Sequence, residues 1–457
     1  MKKFFITSLS IIMSIILILG CSENMSLPDN GGNRGGINTD PNKYVQISPD
    51  WTFDQLGLVD PVDVFSSKDG RLYFAENTEN RIRVIRPSGE IETGVYNTLN
   101  NLIIDSLAVN PTSVCLDARF NVYFANDSNV IYFWPQFSAT VGIAGIITQR
   151  YYDVSGNSVL MDPLTGLAGG YSPIQNSEII DSTQTELIDS LMNPRVFYDP
   201  QSDLNRNGLV NTETGEVLIN GNPIYASQNK SFVAIAPATT SELAIYAADA
   251  INNYMLKINL IPTVLVRLMN GQNVWHYVGV LEDFIATPGT GAGTVSQPIS
   301  MVSDNAGNVY YTQTGDFFSV HKLNSSGYTS DFLVGIDDIM GLGEYGYARD
   351  IAVASDNSIF VLDTLDHDVK MYSVDGQFIK SVVVREEWLK ISDSTYYGDS
   401  LVVKDTLVLQ QYPDLLNNPL ALTFYDEVLY TVDNGNKRIL RFTKVDDVVI
   451  EDPDRED

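Results

Sequence analysis

Cysteine and histidine are scarce in this chain of 457 residues, which has two of the first and three of the second. So few thiols exclude a disulfide-stapled scaffold, and so few imidazoles leave little material for general bases or histidine-bound zinc. Basic residues are scarce too. Lys and Arg number 28 against 57 Asp and Glu, a formal net charge of −29. A surface of that sign repels a phosphate backbone, which excludes nucleic acid as a partner. What is present is ordinary for a folded chain. Hydrophobic residues make up 44% and charged residues 19%, enough apolar material to bury a core and to exclude wholesale disorder. Tyr and Phe, at 24 and 19 copies, weight the composition toward strands.

The first twenty residues read as an address. Lys2 and Lys3 precede a stretch from Phe4 to Leu19 that is apolar apart from Thr7, Ser8, Ser10 and Ser14. That length suits a signal-peptide core and is short for a membrane span. Its end, Ile18-Leu19-Gly20-Cys21, resembles the bacterial lipobox, with Cys21 as the residue to be lipidated. The resemblance implies anchoring to a membrane through several alkyl chains on Cys21. It also implies a place in the bacterial cell envelope. Ser22 follows the cysteine instead of Asp, so in a Gram-negative host the expected destination is the outer membrane. Cys115 is then left alone within Val114-Cys115-Leu116, an apolar strand in which a thiol is buried and inert. Residues 21–43 are rich in Gly, Asn, Asp, Ser and Pro and read as a flexible tether. Residues 446–457 form an acidic tail.

Between tether and tail one pattern recurs six times, in copies starting at Asp60, Asn110, Ser231, Gln297, Ala348 and Asn418. Each copy has a turn residue, a short apolar strand, a polar turn, a second strand ending in a polar residue, another turn and a third strand. The register is checked by counting: Asp63 to Glu76, Ser113 to Asn126, Ser300 to Gln313 and Asp350 to Asp363 are each 13 residues apart. Alternation within strands has period two, as in Leu72-Tyr73-Phe74-Ala75. A repeat of roughly 40–50 residues with three or four strands is a propeller blade. One blade cannot bury both its faces alone, so six copies predict an all-β, six-bladed β-propeller over residues 44–445. The segment from Tyr44 to Phe53 is expected to close it against the last blade.

The copies resemble NHL repeats, whose consensus runs Pro-x-Gly-Val-Ala-Val-Asp, then Gly-Asn-Val-Tyr-Val-Ala-Asp, then Asn-x-Arg-Ile. The likeness is carried by Asp69-Gly70-Arg71-Leu72-Tyr73 with Asn80-Arg81-Ile82, by Ala306-Gly307-Asn308-Val309-Tyr310, and by Asp433 with Asn436-Lys437-Arg438-Ile439. Thr287 to Gly293 looks like the Gly-rich segment between repeats of that family. The resemblance implies the fold and leaves the function open, since NHL-type propellers include lyases and pure interaction modules. Amidating lyases on such propellers bind zinc through three histidines. Here His276, His321 and His367 occupy unrelated positions in their repeats.

Two stretches interrupt the repeats, a long insertion at about 150–229 between blades two and three and a smaller one at about 385–412. The long one is expected to lie outside the ring as a loop subdomain, with a hairpin from Glu216 to Tyr225. Within it Asp203, Asn205 and Asn207 precede Gly208, the opening of an EF-hand-type Ca²⁺ loop. Position 12 of that loop is Thr214 instead of the bidentate Glu, so an Asn/Gly-rich turn competes with a calcium site.

A second candidate is the axial column. Counting register puts Asp63, Ser113, Phe232, Ser300, Asp350 and Ala421 near one rim of a central channel, with Arg349 beside Asp350. Asp63, Ser113, Ser300, Arg349 and Asp350 are thus candidate binding residues for a metal or a small polar ligand, against the alternative of a water-filled channel with paired charges. A third set, Glu76, Asn126, Asp249, Gln313, Asp363 and Asp433, is expected to accept backbone N–H groups in turns. No H-E-x-x-H, G-x-S-x-G or P-loop occurs, and no residue is assigned a catalytic role. The expectation is a monomeric, lipid-anchored binding or scaffold module for a protein or a small polar ligand. The opposing reading is a Ca²⁺-dependent, lactonase-like hydrolase or a lyase using the axial channel.

Overall fold

A computed structural model describes residues 44–135, 193–200, 229–239, 243–267, 273–315, 317–383, 385–397, 400–412 and 416–444, with short strands at Arg150–Tyr152, Ser158–Leu160, Ser172–Pro173, Val210–Asn211, Glu216–Ile219 and Asn222–Tyr225. Cys21, the tether, the acidic tail and the calcium-loop candidates Asp203, Asn205 and Asn207 lie outside the described residues.

Six antiparallel sheets follow one another along the chain. Their innermost strands are Pro61–Ser66, Ser113–Leu116, Phe232–Pro237, Pro298–Ser303, Ala348–Val353 and Pro419–Tyr425. Each lies beside the next, and the sixth lies beside the first, so the ring is closed. This is a six-bladed β-propeller. Closure comes from the N-terminal segment, as the sequence implied. Tyr44–Gln46 pairs antiparallel with Phe442–Lys444 of blade six, and Trp51–Thr52 pairs with Arg438–Ile439.

Period-two alternation explains how the ring holds together. The second strand of blade one sends Tyr73 and Ala75 toward blade two, and Leu72 and Phe74 toward blade six. In blade two Val122 and Phe124 meet blade one, while Tyr123 and Ala125 meet blade three. The described residues form six hydrophobic clusters in this way, one in each gap between neighbouring blades. Each large side chain fully buried there contributes on the order of 1.5–3 kcal/mol. A strand that alternated with one polar face would leave half of these gaps open.

Matching turns join the first two strands of several blades. The chain turns from Ser67 to Arg71, from Asp117 to Asn121, from Asp304 to Asn308 and from Ala354 to Ser358, each with the same pair of backbone hydrogen bonds. All four need one residue in the left-handed region. Gly70 and Gly307 take it freely at φ +82° and +84°, Asn357 takes it at φ 65°, and Phe120 takes it at φ 63°.

Two expectations are corrected. The long insertion does not lie wholly outside the ring, because Arg195–Tyr198 pairs with Ile131–Trp134 as the fourth strand of blade two. The chain leaves that blade after its third strand and returns to finish it. The second correction concerns blade three. Phe232 pairs with Asp249, but after a bulge it is Ala234 that occupies the place of Asp63, Ser300 and Asp350. Two extra residues in the turn after Pro237 shift the count, and Phe232 is a core residue instead. The hairpin pairing is as expected, with Glu216 opposite Tyr225 and Ile219 opposite Asn222. The smaller insertion is a two-stranded ribbon, Arg385–Tyr397 against Ser400–Tyr412.

Candidate functional site

A cavity of about 650 Å³ runs along the propeller axis and is lined by the innermost strands of all six blades. Its walls are layered because the six strands run side by side. The upper layer holds Val62, Thr112, Val233, Ile299, Arg349 and Leu420, all partly exposed to the channel. One residue further along each strand come Asp63, Ser113, Ala234, Ser300, Asp350 and Ala421, all lining the cavity except Ala421, which is packed in the core. Sequence reading found four of the polar groups in the deeper layer and placed Arg349 beside them. It missed the aliphatic layer above.

The deeper polar groups clasp one blade to the next. Asp63 accepts Val64 N–H with one carboxylate oxygen and Val114 N–H of blade two with the other, both at 2.8 Å. The Ser113 hydroxyl oxygen accepts Ile235 N–H of blade three at 3.3 Å. The Ser300 hydroxyl donates to the Asp350 carboxylate. Asp350 also accepts its own strand's Ile351 N–H at 2.8 Å and Leu422 N–H of blade six at 2.7 Å. Where the layer holds alanine, at Ala234 and Ala421, the stitch moves to the far end of the strands. There the Ser303 hydroxyl donates to the Pro237 carbonyl of blade three. Between blades six and one, Ser66 N–H donates to the Thr423 hydroxyl at 3.2 Å and the Ser66 hydroxyl donates to the Phe424 carbonyl at 3.0 Å. Every gap between blades therefore carries a side-chain hydrogen bond from an inner strand.

Burial sets the electrostatics of this layer. Withdrawal from water pushes the Asp350 carboxyl up to about 7, and the charge of Asp63 adds to the rise. Asp63 is raised for the same first reason, while its N–H donors, Ser113 and the positive charge of Arg349 pull it back. The two carboxylates titrate as a pair across the channel. Arg349 acts on Asp63 through space without an ion pair. It makes no hydrogen bond or salt bridge among the described residues.

Other arginines in the described ring are engaged: Arg71 with Glu92, Arg81 with Glu76, Arg83 with Asn100, Arg86 with Glu92, Arg438 with Asp433, and Arg441 with the Pro49 carbonyl. Two residues before Arg349, Tyr347 also lines the cavity. Its backbone N–H is held by Asp363 at 2.9 Å.

The third set of residues does what was expected of it and reaches further. Asp363 accepts N–H groups from Gly346, Tyr347 and Asp366, and Asp249 accepts them from Ser231, Ile251 and Asn252. Glu76 takes Val59 N–H, Gln313 takes Ser296 N–H at 2.9 Å and Asp433 takes Asn417 N–H at 2.7 Å. Asn126 differs, with its side-chain oxygen accepting the Ser128 hydroxyl. Most of these side chains tie the incoming connection to the end of the second strand, so the loops around the channel mouth are fixed by the same column.

Cys115 is buried, and loss of water raises its thiol well above the ordinary range, as for an inert core residue. His321 stacks on Tyr311 at 4.8 Å and accepts Gly293 N–H at 3.0 Å, which pins the Gly-rich segment. Burial lowers it to about 4, so it is neutral. His367 sits in the turn after the second strand of blade five, where its ring nitrogen accepts Asn418 N–H at 3.4 Å. Among the described residues no group of three or more His, Cys, Asp or Glu side chains is placed to hold a metal ion.

No protein-family model matches the chain, and no curated protein does. Among solved structures it is similar to virginiamycin B lyase from Staphylococcus aureus, at 12% identity and a TM-score of 0.39, over 88% of this chain and 100% of that one. An auxiliary nutrient binding protein from Bacteroides thetaiotaomicron matches at 10% identity and a TM-score of 0.41, over 87% and 72% of the two chains. A gluconolactonase from Xanthomonas campestris matches at 9% identity and a TM-score of 0.38, over 86% of each. Likeness of this degree carries no activity across, and the six-bladed ring rests on the strand order itself.

Proposed function

We propose that this protein is a binding module of NHL-like build, held in the bacterial cell envelope by lipid on Cys21 and presenting its axial channel to a ligand or partner protein. The observation that carries the reading is the division of labour inside the channel. Asp63, Ser113, Ser300 and Asp350 are occupied in joining blades, whereas Arg349 has no hydrogen-bond or ion-pair partner among the described residues and stands in an aliphatic ring lining a cavity of about 650 Å³. Cavities of this size and mixed lining suit small molecules. A thermal-shift screen of the mature chain against small polar and amphiphilic compounds tests it. A saturable rise in melting temperature is expected, and its absence across chemically diverse compounds and envelope proteins counts against the module.

Anchoring is tested separately. Cys21→Ala is expected to abolish lipid labelling and release the domain into the soluble fraction, and retention of the variant on membranes sinks the lipobox. In a Gram-negative host the wild type is expected in the outer-membrane fraction.

The competing reading is a hydrolase or lyase working in the same channel, and partly exposed Asp63 is the observation that favours it. Ca²⁺ takes about six to eight oxygen ligands. Asp63 and Ser300 are the polar groups of the deeper layer that stay partly exposed, and they fall short of such a shell. No step is therefore derived through that ion. Lactone turnover by the purified chain that depends on Ca²⁺ and is lost in Asp63→Asn would establish the enzyme. A calcium site at Asp203, Asn205 and Asn207 remains a separate proposal, tested by whether Ca²⁺ shifts the melt of the wild type and not of Asp203→Ala.

A further inference from the structure

We infer that the channel mouth is a carboxylate site, in which Arg349 and the Tyr347 hydroxyl hold the acid group of a ligand whose apolar body lies against Val62, Val233, Ile299 and Leu420. The inference rests on the reading of the channel as a binding site and names the ligand class.

Tyr347 lies one residue before the strand Ala348–Val353 and Arg349 sits at the bulge near its start, and both line the cavity. The strand cannot tilt easily. Tyr347 N–H is bonded to Asp363, and Asp350 is held by Leu422 N–H and by Ser300. The guanidinium and the phenol are thus presented on a fixed backbone. Among the described residues neither makes a side-chain hydrogen bond, although a partly buried guanidinium carries five donors to satisfy.

The surroundings then narrow the class. A guanidinium pairs best with a planar carboxylate or with phosphate, through two parallel hydrogen bonds. Asp63 and Asp350 lie one layer deeper and repel a dianion more than a monoanion. The four aliphatic neighbours in the ring reward an apolar body next to the acid. A monocarboxylate with a hydrophobic body meets all three conditions. Inorganic phosphate meets only the first.

The test uses the mature chain and three probes: hydrocinnamate, its neutral amide hydrocinnamamide, and inorganic phosphate. Binding is read by calorimetric titration on wild type, Arg349→Gln and Arg349→Lys, with each melt recorded without ligand. Hydrocinnamate is expected to bind wild type at least roughly tenfold more tightly than the amide or phosphate, the value of a charge-assisted hydrogen bond. Arg349→Gln should lose that margin with an unchanged melt, and Arg349→Lys should keep part of it. Equal binding of acid and amide, equal binding of hydrocinnamate to wild type and Arg349→Gln, or no binding at millimolar concentration overturns the carboxylate site. If sugars or amines raise the melting temperature of wild type and Arg349→Gln alike while acids do not, the carboxylate class falls and the binding module stands. Ca²⁺-dependent lactone turnover would remove the module reading whatever hydrocinnamate does.

Discussion

The two upper layers of the channel wall, one residue apart on the same six strands, use polarity in opposite ways. In the deeper layer the polar side chains are engaged across the blades. Asp63 and Asp350 each collect two backbone N–H bonds, one from their own strand and one from the next blade. In the upper layer polarity is confined to Thr112 and Arg349, and the guanidinium has nothing to bond among the described residues. A buried group with all its bonds made is cheap to keep and costly to disturb. A cation with its bonds unmade is the reverse, since it adds little to the folded state and gains most from a ligand. Charge near a propeller axis is therefore not by itself a binding signal. What separates structure from site is whether the neighbouring blade has already answered the charge.

The comparison breaks most visibly at Asp350. Removing its carboxylate in Asp350→Ala strands Ile351 N–H, Leu422 N–H and the Ser300 hydroxyl in a buried place. Each orphaned group costs on the order of 1–3 kcal/mol, partly relieved by channel water, so a total loss of about 3 kcal/mol is expected. Urea unfolding of the mature chain reads it. A loss below about 1 kcal/mol would mean that the clasp is ornamental, because surface-like substitutions fall in that range.

A pH profile sharpens the same point. The Asp350 carboxyl is raised to about 7 by burial and by the charge of Asp63, against an unfolded value near 4. Between those values the folded chain holds a proton that the unfolded chain has lost. The contribution of this group is therefore full below about pH 4 and is lost as pH rises toward 7. His321 slopes the other way. Its folded value of about 4 lies below the unfolded one, so its contribution is present above about 6.5 and lost as pH falls toward 4. Total stability hides both, and the difference between wild type and Asp350→Asn separates the Asp63–Asp350 pair from the histidine. That difference should move against the wild type as pH rises from about 4 to about 7. A flat difference across this window would show that Asp350 is ionised throughout and that its hydrogen bonds outweigh its burial.

How much of this could be read in advance depends on what each feature is made of. The ring, its closure by Tyr44–Gln46 and the register of Asp63, Ser113, Ser300 and Asp350 are periodic, and equal turn lengths keep the count honest. Blade three escaped because the turn after Pro237 is two residues longer, which moved the column from Ala234 to Phe232. Blade two lost its fourth strand because residues 135–194 separate Trp134 from Arg195, and a short strand returning after such a gap has no neighbour in sequence to mark it. The clasps were beyond reach for a different reason. A carboxylate in one repeat and the N–H that answers it in the next are brought together by the crossing of two strands, and no local pattern records that. Arg349 carried a signal that went unweighed. It is the one charge at a position that is Val62, Val233, Ile299 and Leu420 elsewhere, and a charge standing alone in an aliphatic column has to be explained by something outside the column.

The smallest expected effect is the most telling for the comparison. Arg349→Gln should change the stability of the mature chain by less than about 0.5 kcal/mol at neutral pH, the range of substitutions that disturb no buried network. Among the described residues the side chain makes no bond whose loss would orphan a partner, and Arg349 is partly exposed. It exerts a through-space pull on Asp63, which lowers that carboxyl against burial. Removing the pull lets Asp63 rise further, so any loss should appear at neutral pH and vanish in acid, where Asp63 is protonated in either chain. Chemical denaturation at two pH values separates the cases. A loss comparable to that of Asp350→Ala, present at both, would make Arg349 another member of the clasping layer. The distinction between committed and free polarity, and the ligand site built on it, would then fall together.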